Sequence, residues 1–121
     1  MGLDMFAYIT RAEIPPVDFE RTENSTQLFY WRKHPNLHGW MEKLYRSKGG
    51  TDAEFNCVAV RLELPDIDAL ERAVGADGLP FITGFFFGES GPEDKQADLE
   101  FIRKARVALK DGLKVFYTSW W

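Results

Sequence analysis

The sequence predicts an α+β fold. It is read as one domain spanning residues 1–121, a sandwich in which a mixed sheet of four or five strands packs against two main helices and one short helix. Three observations lead to this prediction. A length of 121 residues suits a single domain with its own hydrophobic core. Segments with the two-residue period of strands alternate with segments of helical period. The strand segments lack the continuous apolar runs that are typical of an all-parallel sheet.

Five segments are predicted to be strands, because they combine aromatic and β-branched residues and end at turn-forming or charged residues. They are residues 3–10, 27–32, 55–64, 80–88 and 113–120. The segment 55–64 alternates most clearly, and Cys57 lies there among apolar neighbours. This position predicts a buried, unreactive thiol. Residues 11–26 have no clear period and are predicted to form a surface excursion.

The first predicted helix, helix A, begins near Pro35, since proline is favoured in the first helical turn. It ends at Gly49-Gly50, which suits a helix C-terminus. Its apolar residues recur at the spacing of one helix face. They are Leu37, Trp40, Met41, Leu44 and Tyr45.

Two further helices are predicted from their end signals. Asp66 is the predicted N-cap of a short helix B that closes near Gly75. Helix C is predicted to open with a capping box in which Ser90 is the N-cap and Glu93 reaches back to it. Gly112 ends helix C. The predicted order is therefore β-β-α-β-α-β-α-β.

Composition and charge exclude several classes of function. The formal charge of −4 argues against non-specific nucleic-acid binding, which needs a dominant basic surface. A single cysteine excludes an intrachain disulfide, so a reducing compartment is allowed. The N-terminal segment lacks the basic region of a signal peptide, and no apolar run approaches the length of a membrane span. We therefore expect a cytoplasmic protein that does not bind membranes.

Four short segments carry a family resemblance. They are Met1–Met5, Tyr30–Lys33 with Leu37–Trp40, Gly84–Gly88, and Tyr117–Trp120. In this order they resemble a group of small proteins common in bacteriophages and prophages. The resemblance implies a phage-associated origin, and hence the host cytoplasm, but no functional residues. That group often carries the label phosphoglycerate kinase, yet 121 residues cannot build two kinase lobes, and the chain has no P-loop.

The first candidate site is the run Tyr30–His34, just before helix A. Residues 27–50 hold five basic residues and one acid in a chain that is acidic as a whole. Guanidinium, imidazole and aromatic groups beside a helix N-terminus suit a ligand that carries a phosphate or a base. The alternative is a strand-to-helix corner with aromatic residues in the core and cations in solvent.

The predicted ligand-binding residues come from three parts of the chain. They are Tyr30, Trp31, Arg32, Lys33, His38, Trp40, Thr83, Phe86 and Trp120. His38 and Asp4 are the weak catalytic candidates; Asp4 is otherwise expected to pair with Arg32 or Lys33. His34 and His38 have a metal-ligand spacing, but no third ligand is evident, so neither a metal nor a cofactor is predicted.

Aromatic residues make up 15% of the chain, and ten of them fall in three clusters. The clusters are Phe29–Trp31, Phe85–Phe87, and Phe116-Tyr117 with Trp120-Trp121. Three consecutive phenylalanines place bulk on both faces of a sheet. They therefore indicate either a covered central strand or a platform for a ligand or interface. The two terminal tryptophans are expected to pack in a groove of the domain or against another copy.

These observations are consistent with three different functions. The first is a module that binds a phosphate-containing or nucleotide-like small molecule; the phage resemblance implies that it sequesters a host signal. The second is a module that binds a host protein, or a second copy of itself, through its aromatic surface. The third is a small enzyme acting on a nucleotide. No Ser/His/Asp or Cys/His nucleophile motif is legible, so the enzyme hypothesis rests on composition alone.

Overall fold

Four strands form one antiparallel sheet in the computed structural model, which describes residues 2–21, 24–80, 82 and 90–121. The strands are β1 (Asp4–Thr10), β2 (Thr26–Arg32), β3 (Ala59–Leu62) and β4 (Lys114–Trp120). Their spatial order is β2-β1-β4-β3. The helices are α1 (Pro35–Ser47), α2 (Leu64–Gly75) and α3 (Glu93–Lys110). The predicted α+β class is confirmed; the predicted strand at 80–88 lies almost wholly outside the described residues.

The side chains of the sheet alternate between two separate apolar clusters. The larger cluster lies between the sheet and the helices. Its strand members include Met5, Trp31, Val60, Val115 and Tyr117. The smaller cluster lies on the opposite face. It consists of Tyr8, Ile14, Ala59 and Phe116, with Phe6 and Phe19 packed against it. We call this opposite side the open face.

The loop after β1 covers only part of the open face. Its backbone pairs with the edge of β3, where Arg61 N–H donates to the Pro16 carbonyl at 2.9 Å. The Phe19 ring then packs edge-on against Phe116 with 5.1 Å between ring centroids. At the other end of the same face, Tyr30 and Trp120 are exposed. The sheet therefore has a covered half and an accessible half on this side.

The predicted strand at 55–64 is shorter in the structure, where β3 is Ala59–Leu62. Cys57 has a positive φ of 61°, a left-handed conformation that breaks the alternation of a strand. Its side chain is exposed, so the prediction of a buried thiol is wrong. Its N–H still bonds the Ser119 carbonyl at 2.8 Å, which ties the segment to β4.

Both predicted N-caps are also corrected. Glu63 precedes α2, and Asp66 is its third residue, accepting the Glu63 N–H at 2.8 Å. Ser90 does not cap α3, which begins at Glu93. Instead, the Ser90 hydroxyl accepts the Asn36 N–H of α1 at 3.1 Å. Asp66 therefore serves the predicted helix from its third position, whereas Ser90 serves α1 in place of α3.

A search of the described residues for a helix long and apolar enough to cross a bilayer found none.

Candidate functional site

Three of the four segments that carry the sequence resemblance meet at the accessible end of the open face. In the register of the sheet, Asp4 of β1 lies across from Arg32 of β2 on one side and from Trp120 of β4 on the other. The next row on this face pairs Phe6 with Tyr30. Directly opposed residues in adjacent strands lie within side-chain contact distance. This end of the sheet therefore gathers two charges and three aromatic rings.

An aromatic groove of about 300 Å³ adjoins these rows. Phe6, Phe19, Phe116 and Trp120 are among the side chains that line it. Trp120 is 65% exposed, although it belongs to a regular strand. A large ring held on a rigid strand and left in solvent is a ready surface for stacking. The groove can accept a flat ring system.

Charged side chains flank the aromatic groove. The Arg21 guanidinium lies over the Tyr8 ring, 4.4 Å from its centroid, and Arg32 is exposed on the adjacent strand. Glu20 also lines the groove. Guanidinium groups bind phosphate and carboxylate oxygens in a bidentate manner. A ligand lying between the two arginines would be held best if it were anionic at one end.

The Asp4 carboxylate is oriented by Tyr30. The Tyr30 hydroxyl donates to Asp4 Oδ1 at 2.5 Å. This hydrogen bond raises the pKa of Tyr30 above its ordinary value. We expected a salt bridge from Asp4 to Arg32 or Lys33. The structure instead shows a hydrogen bond from the Tyr30 phenol. Such a carboxylate, half-buried at the end of an inner strand, can accept N–H groups from a bound ring.

The structure separates the predicted ligand-binding residues. Tyr30, Arg32 and Trp120 share the accessible part of the open face. Their neighbours in sequence point to the other side, since strand residues alternate. Trp31 is buried in the helix-side core, and His38 is buried nearby on α1.

The remaining predicted residues are dispersed. Lys33 is exposed just after β2, and Trp40 is half-buried against the helix-side core. Thr83 and Phe86 lie outside the described residues, as does the whole Phe85–Phe87 cluster. Trp121 packs against the core, and its indole N–H donates to the Phe55 carbonyl at 2.8 Å. This confirms the expected packing in the domain for one of the two terminal tryptophans.

A second polar constellation lies on the helix side of the sheet. His34 Nε2 is 2.8 Å from Asp98 Oδ2, and His34 Nδ1 is 2.6 Å from the Ser90 hydroxyl. The Trp31 indole N–H donates to Asp98 Oδ1 at 3.1 Å. His34 and Asp98 are 2% and 1% exposed. These bonds tie the corner between β2 and α1 to α3.

Opposing effects set the ionisation of Asp98. Burial dominates and raises the pKa of its carboxyl above the ordinary value. Hydrogen bonds from His34 and Trp31 act in the other direction. His34 Nε2 faces this carboxylate, whereas Nδ1 faces the Ser90 hydroxyl and lies 3.6 Å from a carboxylate oxygen of Asp94. In the tautomer that carries its proton on Nε2, the imidazole donates to Asp98 and can accept the Ser90 hydroxyl proton at Nδ1.

His38 forms a separate buried chain of polar groups. Its Nδ1 lies 2.7 Å from the Tyr117 hydroxyl. Burial lowers the pKa of His38 to about 4, and a hydrogen bond to the Phe55 backbone only partly opposes this. Burial also raises the pKa of Tyr117 well above its usual range. Both groups are thus neutral at physiological pH, which suits a structural role in the core.

The low pKa of His38 predicts a loss of stability in mild acid. The unfolded chain binds a proton near the ordinary pKa of 6.5, whereas the folded chain binds it only near 4. Stability from this group is therefore fully present above 6.5 and is lost as the pH falls toward 4. When the pH falls from about 7 to about 5, proton binding by His38 in the unfolded chain lowers the free energy of unfolding by about 2 kcal/mol.

Urea unfolding at several pH values measures this loss, and His38→Gln is the control that removes the titrating group. The wild-type chain should lose more stability on acidification than the variant. Equal pH dependence in the two proteins would show that His38 is not held neutral by the fold.

Sequence reasoning missed the constellation around Asp98. Asp98 is a polar residue within the helix C pattern. Its contact with His34 spans 64 residues of the chain, and the contact of His34 with Ser90 spans 56. A polar residue on the apolar side of a helix is the one signal that a sequence offers for such a contact. In the described part of the chain, no cluster of three or more His, Cys, Asp or Glu side chains could hold a metal ion.

Comparison of the chain with protein-family models, with curated proteins and with solved structures found no match.

Proposed function

We propose that the protein is a small binding module that holds a nucleotide-like molecule on the open face of its sheet. The observation that carries the proposal is the cross-strand row Arg32–Asp4–Trp120, because it joins a cation, a carboxylate and an exposed indole at one accessible place. Each of the three matches a different part of a nucleotide.

The ring of the ligand stacks on Trp120. Base stacking on an aromatic side chain contributes about 1–3 kcal/mol per base and tolerates any base. The adjoining aromatic groove of about 300 Å³ has room for a single base with its sugar. Asp4, oriented by Tyr30, accepts an N–H of the ring edge, which favours bases that present ring or exocyclic N–H donors.

The phosphate of the ligand pairs with Arg32. This residue is exposed, and it lies on the far side of Asp4 from Trp120. A guanidinium binds phosphate through charge-assisted hydrogen bonds that are stronger than neutral ones. The distribution of charge along the row thus orients the ligand, with its base toward β4 and its phosphate toward β2.

The resemblance to phage proteins suggests a biological role for this binding. A phage-encoded module of this kind would withdraw a host nucleotide signal from solution without needing to transform it. This requires binding alone, which is the chemistry that the open face supports.

A thermal-shift panel of nucleotides, cyclic nucleotides and sugar phosphates tests the proposal, with titration of any hit. We expect Arg32→Ala to weaken binding of the hit by at least about tenfold, since charge-assisted bonds contribute about 1.5–3 kcal/mol. Arg103→Ala is the matched control, because Arg103 is an exposed cation of α3 whose partner is Glu100. No shift with any member of the panel would refute the proposal.

The exposure of Trp120 also favours a second candidate, an interface with a host protein or a second copy of the chain. Light scattering separates this candidate from the first. A dimer that dissociates in Trp120→Ala, together with no nucleotide binding, would favour the interface.

A further inference from the structure

The buried constellation on the helix side has the connectivity of a hydrolytic triad. The Ser90 hydroxyl lies 2.6 Å from one nitrogen of His34, and the other nitrogen lies 2.8 Å from the Asp98 carboxylate. Nucleophile, base and orienting acid are each within hydrogen-bond reach of the next, which is the geometric test for such a site. The unrelated triads known to share this geometry do not share a sequence order.

The orienting acid is itself held in place. Asp98 is 1% exposed and accepts the Trp31 indole N–H at 3.1 Å. A carboxylate with two fixed donors can rotate little, so it holds the imidazole ring with Nδ1 toward Ser90. An imidazole held in this way can take a proton from a serine, with its two nitrogens in exchanged roles: in the serine-protease triad Nε2 faces the serine and Nδ1 the aspartate, and here Nδ1 faces Ser90 and Nε2 faces Asp98.

Ser90 also lies at an open cavity. A space of about 240 Å³ is lined by Ser90 and His34, with Val74 and Leu79 among its apolar walls. The Asn36 N–H, in the first turn of α1, is 3.1 Å from the Ser90 oxygen. This bond fixes the Ser90 oxygen at the start of α1, beside the mouth of the cavity.

We propose that Ser90, His34 and Asp98 hydrolyse small carboxylic esters in this cavity. Ser90 Oγ bonds to the ester carbonyl carbon while its proton passes to His34 Nδ1. The bond from carbon to the leaving oxygen then breaks, and the departing alkoxide takes that proton and leaves as an alcohol. Water attacks the acyl-serine in the same way, which releases the carboxylic acid and restores Ser90.

The charge of the cavity selects the substrate. Among its described lining residues, the carboxylates of Asp77, Asp94 and Asp98 face the single ammonium of Lys95. An anionic ester is disfavoured in such surroundings, so the substrate class is a neutral or cationic ester of a short acid. This cavity therefore favours neutral or cationic ligands, whereas the open face favours an anionic one.

A fluorophosphonate probe tests the triad directly, because it reacts with activated serines and loses fluoride. Intact-mass analysis of the wild-type chain should show one adduct, which peptide mapping locates at Ser90. Ser90→Ala should abolish the adduct, and Ser47→Ala, at an exposed serine of α1, should leave it unchanged. Hydrolysis of p-nitrophenyl acetate above the solvent rate should follow the same pattern.

Asp98→Asn separates catalysis from structure, because it keeps the shape of the side chain. Trp31 and His34 face different oxygens of Asp98, and the substitution replaces one of them with an NH2 group. With the oxygen kept by Trp31, that NH2 group donates to His34 Nε2, so the proton of the imidazole moves to Nδ1, which can no longer accept from Ser90. Labelling should slow by at least about 100-fold, whereas Glu100→Gln on the same helix should have no effect. An unlabelled wild-type protein, labelling that persists in Ser90→Ala, or equal rates in Asp98→Asn and wild type would each overturn the proposal.

Discussion

Replacing Asp98 with alanine is expected to lower the free energy of unfolding by about 2–6 kcal/mol, because two buried donors lose their acceptor at about 1–3 kcal/mol each. The donors are the Trp31 indole N–H and the His34 Nε2 N–H. The carboxylate is 1% exposed, and it lines the open cavity beside Ser90; water that enters from this cavity would bring the loss toward the lower end of the range. A loss of this size is a large part of the stability of a small domain.

Urea unfolding followed by tryptophan fluorescence measures the effect, since Trp31 is buried beside the substituted position. Glu100→Ala is the matched control: this carboxylate lies on the same helix but is bonded to the exposed Arg103. The control should leave the urea midpoint almost unchanged. Equal midpoints for Asp98→Ala and the wild-type chain would mean that the constellation does not hold α3 to the corner between β2 and α1.

Trp120→Ala is expected to weaken nucleotide binding about 5- to 150-fold, the effect of losing about 1–3 kcal/mol of stacking. Folding should be little affected, because the indole is 65% exposed and few of its contacts lie in the core. Isothermal titration of the nucleotide identified in the thermal-shift panel gives both affinities. Val107→Ala removes another exposed apolar side chain, on α3, and should leave the affinity unchanged. Unchanged affinity in the Trp120→Ala variant would show that the nucleotide does not stack on Trp120.

Much of the fold follows from local pattern. The apolar spacing of α1 and the alternation of the first and last strands are properties of neighbouring residues, and the structure agrees with the predicted boundaries within about one residue. The prediction was wrong at Cys57, where the left-handed conformation ends the alternation that the apolar residues suggest. It was also wrong at Ser90. Serine is a common N-cap residue, but this hydroxyl accepts an N–H of α1 and does not cap α3.

The candidate site was predictable in part. The basic and aromatic residue types before α1 identified Tyr30 and Arg32, and the aromatic C-terminal segment identified Trp120. The grouping of Tyr30 with Trp31 in one pocket does not hold, because adjacent strand residues face opposite sides of the sheet. The row through Asp4 depends on strand order and register, which long-range packing decides. No pattern in a single sequence reports that arrangement.

The tryptophan side chains offer the most direct test of where a ligand binds. The chain has four tryptophans, so a heteronuclear NMR spectrum contains four indole N–H signals, which Trp→Phe variants assign. Trp31 donates its N–H to Asp98 and Trp121 donates its N–H to Phe55, whereas Trp120 is exposed on the open face. On addition of the nucleotide, we expect the Trp120 signal to shift and the Trp31 signal to stay in place. A shifted Trp31 signal with an unchanged Trp120 signal would place the ligand on the helix side of the sheet and contradict binding on the open face.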